Sequence, residues 1–210
     1  MRVNKKDFNE EAKRWDSDET RRNLALGLAD AIAKRLDLKG NETLLDYGAG
    51  TGIVALKLSP LVKEVLCADS SRGMLEVIED KLKKVPQARI RTRLLDLEHE
   101  QPDFVVDALT STMTLHHIED TGALFSTFFD LLRPGGPIAL ADLDTEPGDF
   151  HSDNAGVHHF GFDRNHLRGM LTAAGFVDVE VATAYTIHKE RSEGQASYPV
   201  FLFTGRRPAR

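Results

Sequence analysis

A doubly wound α/β fold is what this sequence predicts, and three observations predict it. Short apolar runs alternate with segments of helical period along most of the chain. The first clear run, Leu44-Leu45-Asp46, passes through Gly48, Gly50 and Gly52 directly into a helical pattern at Ile53, Val54, Leu56 and Leu58, giving strand, tight turn and helix. Three successive strand-like runs close on an acid, at Asp46, Asp69 and Asp96, and ligands of open α/β sheets bind at the carboxyl ends of strands. Helix capping or turn chemistry accounts for any one of these acids. It accounts poorly for all three.

Ahead of this core, residues 7–36 carry two helical patterns, a short one around Phe8 to Trp15 and a longer one from about Thr20 with an apolar face. Trp15 is the only tryptophan and stands among charges, as a surface anchor or a pocket residue would. The glycine turn follows. Three glycines in five positions exceed the needs of a plain turn and suit a main chain against which a ligand presses. A dinucleotide fingerprint, GxGxxG, needs its third glycine where this chain has Ile53, and Asp46 would repel a pyrophosphate. The same carboxylate suits a cationic amine.

A helix over 53–59 breaks at Ser59-Pro60, and a strand over 64–69 ends in Asp69, about 20 residues past the glycine turn, where a carboxylate can accept two hydrogen bonds from vicinal ribose hydroxyls. A helix over 73–84 and a strand over 90–95 lead to Asp96. A fourth strand over 104–111 runs into Thr112-Met113-Thr114-Leu115-His116-His117-Ile118, and a helix over 121–132 shows a core stripe at Leu124, Phe125, Phe128 and Leu131. Leu132-Arg133-Pro134-Gly135-Gly136 turns the chain into a strand over 137–143. Residues 144–163 break the alternation. A connection this long, with three histidines and three phenylalanines, reads as an acceptor-side loop. A helix over 164–174 closes at Gly175, and two strands joined near Gly194 finish the chain.

The acid followed by GxGxG, the LHHI run at 115–118 and the LRPGG turn at 132–136 together resemble the class I S-adenosylmethionine (SAM)-dependent methyltransferases, nearest the ubiquinone and menaquinone biosynthesis type. The resemblance spans about residues 41–205. It implies a Rossmann-like seven-stranded sheet, mostly parallel with the last strand antiparallel, and SAM as cofactor, converted to S-adenosylhomocysteine (SAH). It also implies site residues: Asp46, Gly48, Gly50 and Gly52 at the methionine end, Asp69 and Ser70 at the ribose, and Met74, Asp96 and Leu97 at the adenine. Backbone near Thr110 and Ser111 would face the methionine end, and residues 1–40 would form a helical lid with Trp15 and Phe8 against the pocket.

Catalysis is less defined. His117, His158 and His159 are the candidates for a general base, though for the His116-His117 pair packing is the simpler role. His151, His158 and His159 with Asp149 or Asp153 show no ligand register, so no metal is expected. With 27 basic against 33 acidic residues, a net charge of −6 and no basic block, nucleic acid is an unsuited partner. The absence of a long apolar run or signal-like start leads to the expectation of one cytoplasmic domain over 1–210 with no integral membrane association. A lone cysteine, Cys67, reads as a small core residue. The reaction expected is methyl transfer to a small-molecule acceptor, whose identity no motif reveals, as none sets the oligomeric state. Two rivals are a SAM-binding domain without catalysis and a nucleotide-dependent oxidoreductase, the latter disfavoured by Ile53 and Asp46.

Overall fold

The centre of the sheet is set by β1 (Thr43–Tyr47), whose successive side chains Leu44 and Leu45 are both fully buried. Neighbouring residues of a strand point to opposite faces, so both faces of β1 must be covered. In the computed structural model, which describes residues 8–191 and 194–209, each face has its own apolar cluster. Leu44 joins the cluster built with α2 (Glu19–Arg35) and α3 (Ile53–Leu58) through Leu28, Ile32, Val54 and Leu58. Leu45 joins the opposite one, built with α5 (Thr121–Leu131) and α6 (Arg164–Ala173) through Phe125, Phe128, Leu167 and Leu171.

The remaining strands are β2 (Glu64–Asp69), β3 (Ile90–Leu94), β4 (Ala108–Thr112), β5 (Pro137–Leu143), β6 (Val177–Arg191) and β7 (Gly194–Arg206). They form one seven-stranded sheet in the order β3-β2-β1-β4-β5-β7-β6. The first five run parallel, and β7 is antiparallel to both β5 and β6. This is the mostly parallel sheet with an antiparallel last strand that the sequence predicts. The strand order reverses beside β1, so the carboxyl ends of β1 and β4 flank the position where α/β sheets bind ligands. Among the described residues no helix is long and apolar enough to cross a membrane.

Among the boundaries that differ from expectation, two do so for clear local reasons. The fourth strand starts at Ala108, since the Asp107 carboxylate takes the Thr43 amide (2.8 Å) and the Arg133 guanidinium (3.0 Å) just before it. Helix α3 ends at Leu58 and passes into a 3-10 turn at Ser59–Leu61, since Pro60 cannot extend the α-helical hydrogen bonding. Phe128 of α5 is fully buried, its ring edge-on to Tyr47 of β1 with centroids 5.5 Å apart. Phe128→Ala is expected to cost about 3–5 kcal/mol in urea unfolding. A loss under about 1 kcal/mol would mean the layer repacks freely.

Two connections are folded over the carboxyl edge. Helix α1 (Phe8–Trp15) docks on α4 (Arg72–Leu82), with Asn9 Oδ1 accepting from Ser71 Oγ (2.9 Å) and the Gly73 amide (2.8 Å). Asp16, just after α1, accepts from Thr51 Oγ1 and Lys81 Nζ, both at 2.5 Å. The loop over 144–163 is similarly fastened. Arg164 grips both Asp144 oxygens (2.6 and 2.7 Å), and Glu146 Oε2 accepts the amides of Gly148, Asp149 and Phe150. At Gly161, φ +70°, a Cβ would fall 2.0 Å from the Asp144 carbonyl oxygen, so only glycine closes this turn.

Candidate active site

The glycine turn that leaves β1 is fixed to its neighbour strand. The amides of Gly48 and Ala49 donate to the Ala68 carbonyl (2.8 and 3.1 Å), and that of Gly50 donates to Asp69 Oδ2 (2.8 Å). Gly48 has φ +69°, and a Cβ there would come 2.1 Å from Thr114 Oγ1, so the turn and the segment after β4 approach as closely as glycine alone permits. Among the described residues nothing lies within 4 Å of where a Gly50 Cβ would be. The turn therefore offers open main chain on that side.

Two carboxylates stand at the root of this turn in different states. Asp69 accepts from the Gly50 and Ser71 amides; burial raises its pKa and those two donors oppose the rise. Asp46 is 1% exposed, and among the described residues neither of its oxygens has a hydrogen-bond partner. Burial first, and the nearby Asp69 charge second, push its pKa up to about 7. Buried polar atoms are normally paired, so an unpaired buried carboxylate calls for a ligand that supplies positive charge.

A cavity of about 320 Å3 opens between the glycine turn, α1, α2, the segment after β4, the 144–163 loop and β6. On one wall His116 and His117 meet His151, with ring centroids 4.1 Å apart between the first two and 5.0 Å between His116 and His151. His116, 2% exposed, directs Nδ1 at Asp142 Oδ1 (2.7 Å), and Asp142 also accepts from the amides of Leu143 (2.7 Å) and His116 (3.3 Å). Burial alone would raise the Asp142 pKa. The His116 charge and these donors outweigh it and hold the carboxyl below its usual value. A carboxylate at Nδ1 makes that nitrogen the donor and leaves Nε2 as the basic position. His117 is set the same way, with Nδ1 on the Gly156 carbonyl (2.7 Å).

Of the residues predicted from sequence, Gly48, Gly50, Trp15 and His117 line this cavity, and Phe8 does too. The others lie elsewhere. Asp46 and Gly52 flank the turn, Gly52 at φ +77° against Ile78. Asp69, Ser70, Met74, Asp96 and Leu97 follow the carboxyl edge of β2 and β3 outside the cavity, with Met74 buried and Asp96 Oδ1 accepting the Glu98 amide (3.1 Å). The Leu97 amide donates to the Tyr47 hydroxyl (3.3 Å). Thr110 does not reach the cavity. It is fully buried in the sheet with Oγ1 on the Ala139 carbonyl (3.1 Å), and β4 meets the cavity only at Thr112.

His158 and His159 are also outside it. Their amides donate to the His116 carbonyl and the His159 ring pairs with the Ile118 carbonyl, so they brace the post-β4 segment from behind. From that loop it is His151 that faces the cavity. Sequence reasoning passed over His116 as an acid-paired ring, and with it Asp142, Arg21 and Lys189. One signal was present: Asp142 stands at the end of β5, a fourth strand-end acid. Among the described residues no three His, Cys, Asp or Glu side chains gather as metal ligands.

Residues 19–181 match a family described as a methyltransferase domain. An uncharacterized methyltransferase of Schizosaccharomyces pombe is 29% identical over 68% of this chain and 56% of its own length. A ubiquinone biosynthesis O-methyltransferase of Xanthomonas campestris pv. campestris is 31% identical over 65% of this chain and 58% of its own. The chain thus spans a little over half the length of these curated relatives. Among solved structures, phosphoethanolamine N-methyltransferase 2 of Haemonchus contortus, in complex with SAM, is similar with a TM-score of 0.71 and 19% identity, covering 96% of this chain and 60% of that one. With the sheet order, the glycine turn and the family match in agreement, the chain belongs to the class I SAM-dependent methyltransferases.

Proposed function

We propose that this chain binds SAM along the carboxyl edge of β1, β2 and β3 and transfers its methyl group to a small molecule held in the cavity. The observation that carries this reading is Asp46, a buried carboxylate with neither oxygen paired among the described residues, two residues before the open glycine turn. The residues present fit the cofactor. Asp46 would take the ammonium; Gly48, Gly50 and Gly52 would admit the chain beside it; Asp69 and Ser70 would hold the ribose; Met74, Asp96 and Leu97 would bound the adenine. Trp15 and Phe8 in α1 close the cavity from above the turn, in keeping with a lid formed by residues 1–40 on a core over 41–210. The portion of that lid before Phe8 lies outside the described residues.

When bound, SAM supplies a methyl group on a sulfonium, which a nucleophile displaces with dispersal of positive charge. The chain's own work is to align the acceptor, exclude water and remove a proton where the acceptor has one to lose. For an acceptor hydroxyl we assign that proton to His116 Nε2, since Asp142 fixes the ring's tautomer and stabilises its charge, with His117 as the neighbouring ring. A cavity left open beside the turn favours this reading over a silent SAM-binding domain. The acidic net charge and single cysteine are in keeping with a cytoplasmic enzyme acting on a small molecule.

Two measurements test this. Label from methyl-tritiated SAM should pass to at least one member of a hydroxylated small-molecule panel, and its absence across acceptor classes would favour the silent domain. Asp69→Asn should weaken SAH binding about tenfold or more by removing charged acceptors from the ribose; unchanged affinity would place the ribose away from β2.

A further inference from the structure

Resting on the methyltransferase reading above, we infer that the methyl acceptor is an acid: its body is apolar or aromatic, and it carries a carboxylate or phosphate that Lys189 holds. Lys189 enters the cavity from β6, half-buried. Its Nζ donates to the Phe150 carbonyl (2.6 Å) and sits 3.6 Å from the centroid of the Phe150 ring. Among the described residues it makes no ion pair with a carboxylate. The cations around it are Arg191, occupied by the Tyr198 hydroxyl, and Arg21, which lies 4.0 Å over the Trp15 ring and also lines the cavity. Burial first, and then the charges of Arg191 and Arg21, lower the Lys189 pKa.

A crowded, partly desolvated ammonium is unfavourable until an anion joins it. The nearest acids serve poorly. Asp18, 3.5 Å from Arg21, has a side chain more than a third exposed, so solvent screens it, and Asp149 is engaged by the Tyr198 hydroxyl (2.9 Å). The cavity thus has Lys189 and Arg21 on one side, with Asp18 beside Arg21, and the open glycine turn on the other, Asp46 lying at the root of that turn outside the cavity. Between them the walls are apolar, from Leu24, Leu28, Ile187 and Phe150. The Phe150 ring in turn contacts His151, at 4.8 Å between centroids, and His151 contacts His116 at 5.0 Å. An acid anchored at Lys189 would extend along this wall toward the histidines.

The test uses the 210-residue chain saturated with SAH, titrated with benzoate, phenyl phosphate and the neutral benzamide while the fluorescence of Trp15, its only tryptophan, is followed. At least one anion is expected to bind about tenfold or more tighter than benzamide. That preference should vanish in Lys189→Gln and return in Lys189→Arg, with SAH affinity and the unfolding transition unchanged. Tighter binding of benzoate would identify a carboxylate, and of phenyl phosphate a phosphate. Equal binding of anion and amide, or a preference that survives Lys189→Gln, would overturn the inference while leaving the methyltransferase reading in place. Weaker SAH binding in Lys189→Gln would overturn it differently, by giving this cation to the cofactor's own carboxylate. Failure of wild-type protein to bind SAH would sink both.

Discussion

Asp46→Asn is expected to reduce SAH affinity by about 2–5 kcal/mol above pH 7, the range for removing one member of a buried charge pair. The substitution keeps the shape of the side chain and removes its charge. In the unliganded protein that charge is a burden: with its pKa raised to about 7, Asp46 is protonated in the folded chain across a pH range where the unfolded chain ionises it. The folded state thus binds the extra proton, so this group's contribution to stability is fully present below about pH 4 and is lost as pH rises toward about 7. An incoming ammonium reverses the preference. Wild-type affinity for SAH should therefore fall by about tenfold for each pH unit below about 7, and Asp46→Asn should remove that slope. Isothermal titration calorimetry at several pH values checks both. A wild-type slope that persists in the variant would assign the proton to another group.

Replacing His116 by Asn should lower kcat by about 10²- to 10⁴-fold with a hydroxyl acceptor, the usual contribution of a general base. KM for SAM should change little. The pH profile discriminates chemistry from packing, since loss of the base removes the acidic limb of kcat, whereas a displaced loop lowers rate evenly across pH. Asp142→Asn acts through His116 as a positioning change, because an amide can present its NH2 to Nδ1 and turn the ring to the wrong tautomer. His117→Asn should cost less than His116→Asn, since a carbonyl, that of Gly156, and not a carboxylate stands at its Nδ1. A His116→Asn enzyme within about threefold of wild type would move proton removal elsewhere.

The fold was legible because its signals are local. The β1 run, the glycine turn and the helix stripes each declare themselves within a dozen residues, and the repeated strand-end acids point to the carboxyl edge of the sheet. Boundaries at Ala108 and Leu58 were set by a carboxylate capturing a distant amide and by a proline, details that periodicity does not carry. The acceptor side was illegible for a physical reason. Its wall joins α2, the post-β4 turn, a loop 35 residues further along and β6, and nothing in the spacing of Arg21, His116, His151 and Lys189 marks them as neighbours. In the loop, His158 and His159 are the candidates read from sequence, yet their amides are bonded to the His116 carbonyl and His151 is the loop histidine on the cavity wall. Asp142 was the exception. Applying the strand-end rule to β5 would have found it, and with it the partner of His116.

The most direct test of the cofactor reading is calorimetric titration of SAH into ligand-stripped wild-type protein at pH 8, which requires no knowledge of the acceptor. The account predicts saturable binding at one site per chain with a dissociation constant in the micromolar range, about −8 kcal/mol, weakened in Asp46→Asn. No binding at pH 8, or equal binding in that variant, would contradict it, leaving Asp46 a structural acid and the glycine turn a connection without a ligand.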